Sequence, residues 1–146
     1  MYQLTPYLFF AGRCDEALEF YCKAFGGVVV TKQYFKDAPQ QIEGADPDWI
    51  MHAECEAFGM KLMLSDGLVA KERSGNHMAL SLVLDDLDEQ ARVFDKLSHG
   101  GHIMMPLADT FWGGRFGKVE DQFGIRWMLH CDCLLYTSDA ADDRYR

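Results

Sequence analysis

The sequence of 146 residues lacks a long apolar segment, an excess of basic residues and a paired-cysteine motif. No apolar run approaches the roughly 20 residues that a helix needs to cross a bilayer, so we expect no membrane partner. The 14 basic residues are outnumbered by 23 acidic ones, which gives a net charge of −9. Because nucleic-acid phosphates require a basic protein face, this balance argues against a nucleic-acid partner.

The five cysteines form no CxxC motif, and only Cys131 and Cys133 stand close together in the chain. An odd number of scattered cysteines favours reduced thiols and therefore a cytoplasmic location. The N-terminal segment has no basic region and is interrupted by Pro6, so it is more typical of a first strand than of a signal peptide. The apolar content of 49% indicates a globular chain, and the length is that of one domain.

The chain contains an internal repeat. Residues 57–64 (AFGMKLML) align with residues 122–129 (QFGIRWML) at an offset of 65 positions. Residues 17–27 (ALEFYCKAFGG) align with residues 91–101 (ARVFDKLSHGG) at an offset of 74 positions. A longer connection in the first half, around residues 36–48, accounts for the difference. One α+β unit therefore occurs twice.

The spacing of apolar residues predicts the order βαβββ in each half. Alternation along the strands predicts an apolar face beneath the helix and a mixed-polarity face opposite. In the second helix, Leu87, Ala91, Phe94 and Leu97 are predicted to form the buried side. The predicted strands are 3–10, 28–35, 49–56, 60–65, 77–84, 103–107, 115–120 and 125–130, and the predicted helices are 15–25 and 87–98.

Three stretches resemble a known family: TPYLFFAGRCDEALEFYCKAFGG at 5–27, NHMALSL at 76–82 and DTFWGGRFGKVEDQFGIRWML at 109–129. They are similar to the vicinal oxygen chelate superfamily (glyoxalase, bleomycin resistance and dioxygenase proteins), and within it to the PhnB-like branch. The resemblance implies two βαβββ modules, at about 3–66 and 77–131. These would form a U-shaped mixed sheet around a pocket, with the helices on the outer face, in a homodimer.

The predicted domain spans residues 1–132. Residues 133–146 (CLLYTSDAADDRYR) have no counterpart in the first half, and the repeat is already complete before them. We interpret this segment as a non-native tail.

The resemblance also implies four inward positions for a divalent metal, which in this sequence are Pro6, Met63, His77 and Met128. Only His77 offers a ligand suited to such a metal, because proline has no donor and a thioether is a poor ligand for hard cations. We therefore predict no cofactor, and a divalent metal only at a site that is not the family's own. Some PhnB-like proteins carry a methyltransferase label, but this chain has no Gly-rich strand–turn–helix entry for S-adenosylmethionine.

Several candidate residues allow two interpretations. His77 is either a polar residue bonded to a neighbour or a general base. His52 and Glu54 share a strand face and form either a structural pair or an oriented base. Trp112 is a core or interface aromatic, or the wall of a pocket. Arg126, like its counterpart Lys61, either is solvated or holds an anionic ligand. The predicted ligand-binding residues are His52, Glu54, Met63, His77, Trp112, Arg126 and Met128.

Three functions are compatible with these patterns. The favoured hypothesis is a small-molecule binder without the superfamily metal, by analogy with bleomycin resistance proteins that act by sequestration. The alternative is a metal-dependent lyase, isomerase or dioxygenase-type enzyme with a displaced site built from His52, Glu54 and His77. A third is a structural partner that uses residues 36–48 and the Phe111–Trp112 segment as contact surfaces.

Overall fold

A computed structural model describes residues 2–69 and 75–132. The proposed tail, 133–146, lies outside the described residues. The chain divides into two compact units, one up to residue 73 and one from residue 74 onward, and each unit is described by itself.

Unit 1 contains four strands and one α-helix. The sheet order is β1-β4-β3-β2, with β1 parallel to β4 and the other neighbours antiparallel. A short 3-10 turn follows β2 within the long connection that the repeat offsets predict. The elements are β1 (Tyr7–Phe9), α1 (Cys14–Phe25), β2 (Val28–Tyr34), β3 (Ile50–Ala57) and β4 (Met60–Ser65), and the turn is Phe35–Asp37.

Unit 2 repeats this topology with the order β5-β8-β7-β6, in which β5 is parallel to β8. The predicted α+β class with two βαβββ modules is therefore confirmed. Among the described residues, neither helix has the length and apolar character needed to cross a membrane. The elements are β5 (Leu80–Leu84), α2 (Leu87–Ser98), β6 (His102–Asp109), β7 (Arg115–Glu120) and β8 (Arg126–Cys131).

Two strands, β1 and β5, begin at least three residues later than the sequence pattern predicts. β1 starts at Tyr7, directly after Pro6, whose missing N–H cannot join a sheet ladder. The carbonyl of Pro6 still accepts a hydrogen bond of 3.0 Å from the Met63 N–H. β5 starts at Leu80, so His77 and Met78 precede the strand. Both are exposed, and Met78 is 71% accessible although the alternation predicts it on the buried face.

Each helix packs on the apolar face of its own sheet. In α1 the apolar residues at helical spacing, Ala17, Leu18, Tyr21 and Phe25, are buried. In α2 the prediction is partly wrong, because Ala91 is exposed and the buried stripe is Gln90, Val93, Phe94 and Leu97.

The buried Gln90 has partners for both ends of its amide. Its Nε2 donates to the carbonyls of Arg115 at 2.7 Å and Leu129 at 3.2 Å, and its Oε1 accepts from Arg115 Nε at 2.8 Å. A buried amide is tolerated when its donors and acceptors are satisfied. Gln90 therefore joins α2 to two strands of unit 2.

A buried carboxylate ties together three segments of unit 1. Asp66 follows β4, and its Oδ1 accepts hydrogen bonds from the backbone N–H groups of Gly12 at 2.7 Å and Cys14 at 2.8 Å. Its Oδ2 accepts from the N–H of Ile50 at 2.8 Å. The carboxylate thus fixes the end of β4 to the start of α1 and the start of β3.

Candidate ligand-binding site

The mixed-polarity face of unit 1 brings together side chains from three strands. Tyr7 on β1 is paired with Met63 on β4, and Met63 is paired with Glu54 on β3. Paired residues point to the same side of a sheet, and residues two apart on a strand share a face. His52 and Lys61 therefore lie on the same face as these three.

Four of these side chains form a continuous hydrogen-bonded line, here named the polar row: Tyr7, His52, Glu54 and Lys61. Tyr7 Oη lies 2.6 Å from His52 Nδ1. His52 Nε2 lies 2.8 Å from Glu54 Oε2, and Lys61 Nζ lies 3.2 Å from Glu54 Oε1. Because an ionised carboxylate only accepts, Nε2 of a neutral His52 carries the proton and Nδ1 accepts from the Tyr7 hydroxyl.

The charges of the polar row reinforce this arrangement. Hydrogen bonds from His52 and then from Lys61 hold the pKa of Glu54 below its ordinary value of 4.5. Burial, followed by the acidic groups of Cys14 and Glu54, raises the pKa of Tyr7 above 10.0. Glu54 is therefore ionised and Tyr7 protonated near neutral pH, which suits their roles as acceptor and donor.

An aromatic platform lies beside the polar row. The rings of Tyr7 and Phe9 are stacked, with centroids 5.0 Å apart and an interplanar angle of 3°. They remain 37% and 46% accessible. The His52 ring lies 5.4 Å from that of Tyr7. This surface presents flat apolar rings next to hydrogen-bonding groups, a combination typical of small-molecule sites.

The equivalent face of unit 2 carries a second aromatic cluster. Trp112 stacks on His130 with centroids 6.1 Å apart and an angle of 19°, and Phe116 lies 6.3 Å from the same imidazole. His130 Nε2 lies 2.5 Å from Asp132 Oδ1. Trp112 is 49% accessible, so it lies outside the core, over a face that also presents a histidine.

The two basic candidates are paired with carboxylates. Lys61 contacts Glu54 as described, and Arg126 Nε on β8 lies 3.0 Å from Glu120 Oε2 on the adjacent strand β7. Each cation therefore has a carboxylate partner on a neighbouring strand, and the Lys61 side chain is still 42% accessible. An incoming anion would have to compete with the carboxylate already present.

The predicted residues fall into three groups in the structure. His52, Glu54 and Met63 meet on the mixed face of unit 1. Arg126 and Met128 share the mixed face of unit 2 with His130, which Trp112 covers. His77 lies on neither sheet, because it precedes β5.

The sequence interpretation did not select Tyr7, Phe9 or His130 as site residues. For His130 the signal was alternation, because it is two residues from the candidate Met128 on one strand and points to the same side. Tyr7 and Phe9 share a face with each other, but only the pairing of Tyr7 with Met63 links them to a candidate.

The donors present do not fit the metal that the family resemblance implies. In the sheet register Met63 is paired with Tyr7, and Met128 is paired with Ser81. These positions supply thioether and hydroxyl groups, and the neighbouring Pro6 supplies no side-chain donor. Within residues 2–69 and 75–132, no three or more His, Cys, Asp or Glu side chains are grouped to hold a metal ion. We derive no chemistry through a metal.

The fold and sequence together define the class of the protein. Residues 3–129 match the profile of the glyoxalase/bleomycin resistance protein/dioxygenase superfamily. The chain belongs to this superfamily, whose two-module α+β fold the structure shows.

Individual relatives indicate the branch of the superfamily to which this chain is similar. It is 34% identical over 137 residues to the protein YjdN of Escherichia coli K12, covering 87% of this chain and 93% of YjdN. The solved structure of protein PA1353 from Pseudomonas aeruginosa is 36% identical, with a TM-score of 0.80, covering 90% of this chain and 98% of PA1353. A PhnB protein from Bacillus cereus, described as a putative 3-demethylubiquinone-9 3-methyltransferase, is 26% identical. Its TM-score is 0.75, covering 89% of this chain and 99% of that protein. The structure is thus similar to PhnB-like proteins.

Proposed function

We propose that the protein binds a small organic molecule on the mixed-polarity face of the unit 1 sheet, without the divalent metal of its superfamily. The observation that supports this most directly is the polar row beside the exposed Tyr7–Phe9 stack. The rings offer a flat apolar contact, and the row offers a donor and acceptors in fixed positions. A planar ligand with one hydroxyl, carbonyl or amide group matches both features.

The charges on this face argue against an anionic ligand. Within the polar row, Glu54 is balanced by Lys61 at 3.2 Å, and Glu56, two residues from Glu54 on the same face, adds an exposed carboxylate. Such a surface gives no electrostatic attraction to a phosphate or carboxylate. The analogy with sequestering bleomycin resistance proteins points the same way but is made at the level of the fold.

The test is a ligand screen followed by matched tyrosine variants. A panel of uncharged aromatic metabolites and drugs is screened by thermal shift, and hits are titrated by intrinsic fluorescence. Tyr7→Phe removes the hydroxyl at the site, and we expect it to weaken binding about threefold to tenfold, the value of one hydrogen bond. Tyr34→Phe is the control, because the Tyr34 hydroxyl donates to Asp15 at 2.7 Å and is not part of the polar row. Equal effects of the two variants, or no stabilising ligand in the panel, would contradict the proposal.

The metal-dependent enzyme remains the alternative, and its site would include His52, Glu54 and His77. Both nitrogens of His52 are already engaged, by Tyr7 and Glu54, so a metal would have to displace one of these partners. Metal analysis of the purified protein and a divalent-ion thermal-shift panel separate the two hypotheses. A stoichiometric metal, or a shift of several degrees that His77→Ala abolishes, would favour the enzyme hypothesis over the binder. We expect neither.

A further inference from the structure

Two thiols that have no part in the proposed site lie side by side in unit 1. Cys22 is on α1 and Cys55 is on β3, and their Sγ atoms are 3.1 Å apart. Both are free cysteines. Because a disulfide has an S–S distance of about 2.05 Å, a movement of about 1 Å would join them.

The local backbone holds the two cysteines together. Gly27 follows α1, and its N–H donates to the Cys22 carbonyl at 2.8 Å. A Cβ at Gly27 would lie 2.6 Å from the Glu56 carbonyl oxygen and 3.3 Å from Cys55 Sγ. The end of the helix is therefore pressed against β3 at the position of Cys55.

One of the two thiols is accessible. Cys22 lines a surface cleft of about 340 Å³ between α1 and β2, whereas Cys55 is only 2% accessible. The charged side chains of the cleft are paired, Lys32 with Asp15 at 3.0 Å and Lys23 with Glu19 at 2.8 Å. The cleft is therefore suited to a reagent without net charge.

We propose that Cys22 and Cys55 form a reversible thiol–disulfide site that reacts with uncharged low-molecular-weight disulfides entering this cleft. The Cys22 thiolate attacks one sulfur of R–S–S–R, forms the mixed disulfide Cys22–S–S–R and releases RS⁻, which takes a proton from solvent. Cys55 then loses its proton to solvent and attacks the Cys22 sulfur. This second exchange forms the Cys22–Cys55 disulfide and releases the second RSH. Two protein thiols are oxidised while one small disulfide is reduced to two thiols.

The order of attack follows from exposure. Cys55 cannot be reached from solvent, and burial, with Cys22 as the next cause, raises its pKa to about 12. Part of that effect disappears once Cys22 is in a mixed disulfide. Cys22 is therefore the attacking thiol and Cys55 the resolving thiol. Cys14, also in unit 1, is completely buried and takes no part.

The experiment treats the full chain with 2-hydroxyethyl disulfide and maps disulfides by tryptic digestion without reduction and mass spectrometry. We expect a cross-link between peptides 14–23 and 37–61, with fragment ions that assign it to Cys22 and not to Cys14. Dithiothreitol should reverse it. Reading the cross-link from named peptides makes the result independent of the other cysteines.

Two variants test the roles of the two thiols. Cys22→Ser should abolish the reaction, and Cys55→Ser should leave the mixed disulfide trapped on Cys22. Cys14→Ser is the control and should retain the cross-link. In the wild-type chain, a mixed disulfide that persists on Cys22, or a Cys22 that stays unmodified, would overturn the proposal whether or not the variants fold.

Discussion

At the residue scale, Glu54 determines which atoms donate and which accept the hydrogen bonds of the polar row. Its carboxylate fixes the tautomer of His52, and the other imidazole nitrogen then accepts from Tyr7. Lys61 neutralises the remaining carboxylate oxygen at 3.2 Å. The same residue therefore positions a histidine and cancels a positive charge, so the polar row has no net charge when His52 is neutral.

The lowered pKa of Glu54 predicts a dependence of stability on pH. Because the folded state holds this pKa below 4.5, folding favours the ionised form. The stabilisation is complete above that value and is lost as pH falls through the folded pKa. We expect the melting temperature of Glu54→Gln to fall less steeply than that of the wild type below pH 4.5. Glu43→Gln, at an exposed position, is the control and should keep the wild-type slope. Identical slopes for all three proteins would contradict this account.

Asp66 gives a second prediction at this scale. Asp66→Ala leaves the buried N–H groups of Cys14 and Ile50, and the N–H of Gly12, without their acceptor. Unsatisfied buried donors cost about 1–3 kcal/mol each, so we expect a loss of about 3 kcal/mol or more in urea unfolding. Asp48→Ala removes an exposed carboxylate that lies 3.7 Å from Lys36, and it should change stability by less than about 0.5 kcal/mol. A comparable loss in both variants would mean that Asp66 does not tie these segments together.

At the scale of elements, a Gly-Gly pair follows each helix, directly after α1 and one residue later, after His99, in the case of α2. The first glycine of each pair, Gly26 and Gly100, has a positive φ of 67° or 74°, which glycine adopts at little cost. The second glycine serves a different purpose. A Cβ at Gly27 would lie 2.6 Å from the carbonyl oxygen of Glu56 on β3, and a Cβ at Gly101 would lie 2.3 Å from that of Glu120 on β7. These positions therefore require the absence of a side chain.

Gly27→Ala tests this close approach. The added methyl would meet the backbone oxygen of Glu56 at 2.6 Å, and a rigid neighbour cannot move aside without strain. We expect a loss of about 1–3 kcal/mol of stability, measured by chemical denaturation. Gly75→Ala is the matched control, since its added methyl would meet only the His77 side chain at 3.4 Å. A neutral Gly27→Ala variant would show that α1 is not pressed against β3.

Element types were predictable from the sequence, and some boundaries were not. β4, α2 and β7 begin and end where the pattern predicts. The strands β1 and β5 were predicted too long, because apolar residues before Tyr7 and Leu80 matched the alternation without having a sheet partner there. The apolar pattern also predicted that Ala91 is buried and did not predict that Gln90 is. Apolar periodicity counts only apolar residues, so it cannot identify a polar side chain that is buried because the sheet satisfies its hydrogen bonds.

At the scale of the whole molecule, the family resemblance predicts a homodimer. Exposed apolar side chains on the sheet edge of unit 1, Val28, Val29 and Val30, support association. We expect sedimentation velocity to give a species of twice the chain mass of 16.6 kDa. Val29→Lys introduces a charge into this apolar patch and should shift this species towards monomer, whereas Glu43→Lys, at an exposed and already charged position, should not. A wild-type protein that sediments as a monomer at micromolar concentration would contradict the prediction.

The candidate site contains one contact that the sequence predicted and one that it could not predict. His52 and Glu54 were selected because they are two apart on one strand, and this local relation holds in the structure. Tyr7 is 45 positions away from His52 in the chain, and no local pattern connects them. Their hydrogen bond of 2.6 Å exists because β4 pairs with both β1 and β3.

The sequence by itself determined the repeat, the order βαβββ, the two faces of each strand and the membership of a superfamily. The first three follow from local spacing, because side-chain direction depends only on whether the backbone is helical or extended, and the last follows from the likeness of whole sequence stretches to the family. Tertiary structure alone decided which strands became neighbours. That pairing placed Tyr7 on His52, Trp112 over His130 and Cys22 against Cys55, since side chains distant in the chain meet only when the register of separate elements brings them together.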